Sequence, residues 1–284
     1  MVKTNLRIMT SNIWGDYFGN PVTVREDQLT EVYARYSPDV LGFQEATVSW
    51  WESKLFVALK EEYTMVDVDK EVKAWYATAS EGEESMTGRP ECNQQNFVPL
   101  FYKTAKYDCL EKGWEHYDLT PDPSKAFTWA VLKDKETGKV FGVFNTHFWW
   151  MSGPIHDELR KKNSEQMLQR MQKINEKYQT TVIAFGDMNS TPESLAFRAL
   201  MENDIHNLRV EAPEVPMMCS YHDEPELGED GIYHSKKTEL SWEYSLDHIV
   251  SLGAVDVLNY QIVEDQDALD ASDHSPVYAD IVLE

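Results

Sequence analysis

Apolar and polar positions recur along the chain with two periods. Leu6 to Asn12 alternates with a period of two, as a half-buried strand does. Val40-Leu41-Gly42-Phe43 is a short apolar run that reads as a buried strand, and Phe97–Tyr102 and Thr181–Phe185 read likewise. Thr128–Leu132 and Val140–Phe144 predict a hairpin around the turn Glu136-Thr137-Gly138-Lys139, and Tyr244–Val250 and Pro276–Val282 predict two closing strands. Helical spacing covers Val24–Tyr36, where Val24, Leu29, Val32, Tyr33 and Tyr36 share a face and Pro38 stops the element. It returns in Ser49–Leu59, with Trp51, Leu55 and Leu59 inward, and in Asp157–Tyr178, with Met167, Leu168, Met171, Ile174 and Tyr178 inward. Thr191 is expected to cap a helix whose first residue is Pro192. Ala74–Gln95, polar and acidic, reads as a long loop, and Met201–Lys237 as mostly loop.

Many strands with helices between some of them predict an α+β fold. The expected architecture is a four-layer α/β/β/α sandwich of two packed, mainly antiparallel sheets flanked by helices. The antiparallel Val140 hairpin fits a purely parallel sheet poorly. A chain of 284 residues that is 42% hydrophobic can bury a substantial core. No repeat, low-complexity tract or Pro/Gly/Ser-rich linker interrupts it, so residues 1–284 are expected to form one domain. No apolar run reaches the length of a membrane span or a signal peptide, which predicts a cytoplasmic protein, expected to act as a monomer. Cys92, Cys109 and Cys219 are far apart, with no C-x-x-C spacing, and read as free thiols rather than a zinc site or a disulfide framework.

Several segments share one grammar: an apolar strand ends and chemically useful side chains follow at once. They are Thr10-Ser11-Asn12, Gln44-Glu45, Asn145-Thr146-His147, Gly186-Asp187-Met188-Asn189, Leu246-Asp247-His248 and Ser272-Asp273-His274. Convergence of these ends would make one pocket lined by the carboxylates Glu45, Asp187, Asp247 and Asp273, the amides Asn12, Asn145 and Asn189, and the imidazoles His147 and His274. Four carboxylates cannot share a pocket without a cation, because like charges raise each other's pKa. Oxygen donors with few thiols suit a hard ion, Mg²⁺ or Mn²⁺. Such an ion polarises a phosphoryl oxygen, and histidine moves protons near neutral pH.

The order Ser-Asn, Gln-Glu, Asn-Thr-His, Gly-Asp-x-Asn, Asp-His and Ser-Asp-His-x-Pro resembles the endonuclease/exonuclease/phosphatase superfamily, from Leu6 to Val282. That superfamily holds pancreatic-type DNases, abasic-site endonucleases, inositol polyphosphate phosphatases, sphingomyelinases and deadenylases. Asn96-Phe97-Val98-Pro99-Leu100-Phe101-Tyr102 and Phe144-Asn145-Thr146-His147-Phe148-Trp149-Trp150 look most like its bacterial subgroup of unassigned substrate. The resemblance implies hydrolysis of a phosphate ester by in-line attack of an activated water. It makes Glu45 the principal metal ligand, supported by Asn12, and Asp273 a further metal-side ligand. Asp187 would align or deprotonate the water, Asn189 would orient the phosphate, and His274 would face it with Asp247 fixing its tautomer. His147 matches the histidine of the DNase and sphingomyelinase branches, which the abasic-site branch lacks. Asn96 falls where a partner of that histidine sits, and Arg160 matches a basic residue common in the bacterial subgroup.

The bland reading of His248 is structural, and that of Trp149 and Trp150 is core or pocket wall, although either indole could grip a base, ring or sugar by stacking. Asn145, Arg160, Asn96 and Trp149 are the expected substrate contacts. The charge balance, 26 basic against 49 acidic residues for a net of −23, repels long polyanions. A small or locally exposed phosphoester is therefore expected. Nucleic acid stays open, because bound cations can invert the local field. From another class, paired carboxylates and nine tryptophans would also suit a metal-free glycoside hydrolase. A binding module on a dead scaffold would need a missing catalytic residue, and none is missing.

Overall fold

A computed structural model describes residues 3–17, 19–79, 95–120, 122–236 and 245–284. The first sheet contains β1 (Thr4–Asn12), β2 (Val40–Gln44), β3 (Tyr63–Met65), β4 (Leu100–Lys103), β13 (Asp256–Ile262) and β14 (Val277–Leu283), in the order β13-β14-β1-β2-β4-β3. The second contains β5 (Tyr107–His116), β6 (Ala126–Asp134), β7 (Val140–His147), β8 (Val182–Asp187), β9 (Ile205–Asn207) and β12 (Asp247–Leu252), in the order β5-β6-β7-β8-β12-β9. Each sheet is antiparallel except for one central parallel pair, β1 with β2 and β7 with β8. A separate hairpin joins β10 (Glu226–Leu227) to β11 (Tyr233–His234).

Strand alternation sorts the side chains into three cores. Ile8, Val40, Leu100, Phe141, Val143, Ile183, Phe185 and Ile249 meet between the sheets. The opposite faces of the same strands, Met9, Leu41 and Phe43, pack beneath α1 (Glu26–Tyr36) and α3 (Lys54–Glu62) with Leu29, Val32, Leu55 and Phe56. On the far side Phe144, Val182 and Ala184 pack beneath α5 (Pro154–Tyr178) and α6 (Leu195–Met201) with Met167, Met171, Ile174 and Phe197. The result is the expected four-layer α/β/β/α sandwich of mainly antiparallel sheets.

The structure corrects several boundaries. Ser49–Leu59 is two helices, α2 (Val48–Trp51) and α3, divided where Ser53 caps the second by accepting from the Phe56 amide. The helix expected at Thr191-Pro192 starts later, because Ser194 is the residue whose side chain accepts from the backbone, at Phe197. Val24 lies in a single 3₁₀ turn ahead of α1. Only Leu100–Lys103 of the Phe97 run is strand, although the Phe97 and Pro99 carbonyls still accept from Ala46 and Phe43. Part of the Ala74–Gln95 loop is helical, since α4 (Asp69–Tyr76) reaches into it; residues 80–94 lie outside the described residues. Met201–Lys237 holds β9, α7 (Leu208–Glu211) and the β10–β11 hairpin. The last strand before the closing hairpin begins at Asp247 rather than Tyr244, with residues 237–244 outside the described residues.

Candidate active site

The parallel pairs place the chemistry. Asn12 ends β1 in register with Gln44, the last residue of β2, and His147 ends β7 in register with Asp187, the last residue of β8. On its other side β8 pairs with β12, so Asp187 also has Asp247 as its register partner. Two strand-end pairs, one from each sheet, thus open on the same mouth. Gly186 is required here: its φ is +148° and a Cβ would stand 2.0 Å from the Thr146 carbonyl oxygen, so no other residue lets β8 run this close to β7. Trp14, Glu45 and Asn189 adopt left-handed φ values of 52°, 62° and 45°. Strained backbone of this kind is held only where its surroundings over-determine it.

Asp187 is the meeting point. Its Oδ2 accepts from Asn12 Nδ2 at 3.1 Å and lies 3.3 Å from His147 Nε2 and 3.9 Å from His274 Nε2. Its Oδ1 accepts from the Asn189 amide at 2.8 Å, which fixes the turn after the strand. Burial alone would raise this carboxyl, but His147, His274 and Lys125 outweigh it and hold the group well below the usual range. His274 Nδ1 meets Asp247 Oδ2 at 2.7 Å, leaving Nε2 toward Asp187. Burial disfavours the imidazolium, yet Asp247, Asp187 and Asp273 reverse that and raise His274 well above its ordinary value. Asn189 donates from Nδ2 to the Phe148 carbonyl at 3.1 Å.

Glu45 and Asp273 form the acidic side, and both are half-buried. Glu45 Oε1 accepts from Asn12 Nδ2 at 3.2 Å and Oε2 from the Gly15 amide at 2.8 Å. Each oxygen keeps a lone pair for a further partner. Asp273 is pushed up to about 7, by burial first and then by the charges of Glu45 and Asp187. Carboxylates crowded this way are relieved by a hard cation, and the donors Glu45, Asp273 and Asn12 are all oxygen. Among the described residues no three His, Cys, Asp or Glu side chains form a ready-made cage.

The four expected substrate contacts are all buried side chains. Asn145 is fully buried between the sheets, its amide spent on the Phe43 and Pro99 carbonyls at 2.7 and 2.9 Å and its oxygen on Gln44 Nε2 at 2.5 Å. Gly42 leaves room for it, since a Cβ there would come within 2.5 Å of Asn145 Oδ1. Asn96 bonds Thr128 Oγ1 and the Val98 amide. Arg160 is buried, donating to the Trp149 and Met151 carbonyls and pairing with Asp157. Trp149 is buried and gives its indole N–H to His156, while Trp150 is 55% exposed. Asn145, Asn96, Arg160 and Trp149 are thus buried and hydrogen-bonded within the protein. His248 is buried on the Ser190 carbonyl at 2.7 Å, as its structural reading requires.

The sequence reading missed Lys125 and Tyr221. Lys125 precedes β6 and its Nζ lies 2.7 Å from His147 Nε2; burial lowers its pKa. The same ring nitrogen faces Asp187, and a neutral imidazole can accept from the lysine or donate to the carboxylate, not both. The detectable signal was a lone cation at a strand start, the mirror of the strand-end grammar. The Tyr221 ring stands edge-on to His274, centroids 5.2 Å apart, from a loop with no pattern to announce it.

Residues 9–274 match the Endonuclease/Exonuclease/phosphatase family, and the chain belongs to it. Members of this family are hydrolases acting on phosphoesters. Among solved structures, an endonuclease/exonuclease/phosphatase family protein from Bacteroides thetaiotaomicron is 19% identical, with 100% of both chains covered and a TM-score of 0.75. The mannosyl-6-phosphatase Bt3783 of the same organism is 18% identical over 97% of this chain and 99% of that one, with a TM-score of 0.73. Danio rerio TDP2 complexed with a single-strand DNA product is 17% identical over 98% and 99%, with a TM-score of 0.67. At such identities the likeness is one of fold. No curated protein matches the chain in sequence. Among the described residues no helix is long and apolar enough to cross a membrane.

Proposed function

We propose that this chain is a divalent-metal-dependent phosphoesterase that hydrolyses a small or locally exposed phosphate ester by in-line attack of water. The observation that carries the reading is the convergence of Asn12, His147 and His274 on Asp187 Oδ2, beside the crowded acids Glu45 and Asp273. Glu45 and Asp273, with Asn12 beside them, would hold Mg²⁺ or Mn²⁺, which when bound draws electron density from the phosphoryl group and steadies charge on the leaving oxygen. Asp187, kept ionised by the cations around it, aligns the water and takes its proton. Asn189, on a fixed turn, orients the phosphate. His274, held charged by Asp247, presents Nε2–H to a phosphoryl oxygen, and Lys125, beside His147, supplies further positive charge from the other sheet.

A panel of phosphoesters, spanning sugar phosphates, nucleotides, inositol phosphates, dinucleotides and single-stranded nucleic acid, run with Mg²⁺, with Mn²⁺ and with excess EDTA, tests the reading. Turnover should need the ion, and Glu45→Gln should lower it by about 10²-fold or more with partial rescue at high Mn²⁺. Full phosphoester turnover in EDTA would sink the metal mechanism, and hydrolysis of a glycoside in EDTA with no phosphoester turnover would favour the metal-free glycosidase.

A further inference from the structure

No part of the Arg25 side chain is exposed. Its guanidinium donates from Nη1 to the carbonyls of Ile13 at 3.1 Å and Ala271 at 2.7 Å, and from Nη2 to those of Trp14 at 2.8 Å and Asn20 at 3.2 Å. Its carbon stands over the rings of Trp14, Trp50 and Tyr233 at 4.7, 5.1 and 6.0 Å. None of these partners is a carboxylate. A buried charge held only by carbonyls and ring faces is costly, so the arrangement calls for a reason.

The reason lies in which carbonyls it holds. Ile13 and Trp14 lead into Gly15, whose amide bonds Glu45 Oε2; Ala271 leads into Ser272 and Asp273. Arg25 lies 12 residues from Ile13 and 246 from Ala271, so one planar fork ties two distant stretches of chain. We propose that Arg25 is the positioning residue of the cation-binding half of the site, fixing the separation of Glu45 and Asp273 and so the affinity for the divalent ion. This rests on the metal-dependent reading above.

Two further features support it. Trp14 is in the left-handed region, a conformation an indole-bearing residue keeps only under restraint, and its carbonyl takes the 2.8 Å bond from Arg25. Ser272 Oγ donates to the Asn12 carbonyl at 2.8 Å, a second tie between the same two turns. Lysine cannot copy the fork, because its three donors leave a single nitrogen and cannot fan across four carbonyls.

The experiment is calorimetric titration of the full chain with Mg²⁺ and with Mn²⁺, alongside thermal unfolding in EDTA and near-ultraviolet circular dichroism. Arg25→Lys should stay folded and bind Mg²⁺ about tenfold more weakly, with kcat recovered at saturating ion. A folded Arg25→Lys whose Mg²⁺ affinity is within twofold of wild type would overturn the proposal, whatever its Tm. Should Arg25→Lys not fold, Tyr233→Leu decides: it removes one wall of the cage and none of the carbonyl bonds, and should weaken Mg²⁺ about threefold. Unchanged affinity in that variant overturns the proposal equally. Wild-type protein that takes up neither ion sinks the metal-dependent reading itself, and the proposal with it.

Discussion

Asp247, the first residue of β12, and His274, in the turn ahead of β14, meet at 2.7 Å, both buried, and so reach the site from different sheets. A pair acting through one proton loses its function when either member goes. We expect Asp247→Asn and His274→Ala each to lower kcat by roughly 10³-fold, within the range typical of proton-transfer groups. The double variant should fall little further, and cleanly additive losses would separate the two residues. The core of the site was legible from the order of its motifs and the family they resemble. Asn12, Glu45, His147 and Asp187 do end or follow strands, whereas Asp247 begins β12 and His274 lies ahead of β14, so the strand-end pattern alone would not have placed that pair. What a strand pattern does not encode is where a polar side chain spends its hydrogen bonds. Asn145 follows the same grammar as His147 two positions on, yet it points between the sheets, and Arg160 turns back onto its own loop. Lys125 was overlooked because the hairpin was read from Thr128, whereas β6 begins at Ala126 and pairs Phe127 with Thr146, which brings the lysine to the ring of His147.

Between elements, the two sheets are joined at the site end by Asn145. It sits on β7 and bonds the Phe43 carbonyl of β2, the Pro99 carbonyl ahead of β4 and Gln44 Nε2. Loss of this amide would strand two carbonyls and an amide N–H in the core, each costing about 1–3 kcal/mol. Asn145→Ala should therefore cost roughly 3 kcal/mol or more of stability in denaturant unfolding, while KM of the protein that remains folded stays near wild type. A raised KM at unchanged stability would restore Asn145 as a substrate contact. Central strands were readable because both faces of β2, β7 and β8 are buried, which writes largely apolar runs, while β1 showed itself by alternation although its site end is buried on both faces. The edge strands β5 and β13 were not, since one face is exposed and charged residues such as Asp108, Glu111 and Lys112 interrupt the pattern. Helix starts shifted by a turn wherever several capping residues compete, as Thr191 and Ser194 do.

Taken as one body, the molecule carries a net charge of −23, and many of the surface cations among the described residues are paired with acids. Lys103 and Lys106 pair with Asp39, Lys112 with Asp67, Lys135 with Asp108, Lys177 with Glu111, and Lys161 and Lys162 with Glu165. Lys161 and Lys162 extend the longest run of adjacent basic residues, and Arg160, which begins it, is buried. No basic stripe is left among these residues to track a duplex. Proteins that read a duplex along its backbone neutralise many phosphates and lose about 10³–10⁵ in affinity between 50 and 200 mM salt; a single phosphate contact on the same slope loses about threefold. In the proposed mechanism Lys125, buried beside His147, supplies a cation for one phosphate. We expect turnover of small phosphoesters to change by no more than about tenfold across that salt interval, and supercoiled plasmid to be nicked far more slowly at every salt concentration. Plasmid should gain on the small substrates only as salt is lowered and the acidic surface left in place, if a lone loop does the binding. Efficient nicking with a steep salt dependence, and no turnover of small phosphoesters, would make the protein a nuclease and would require phosphate contacts from scattered surface cations.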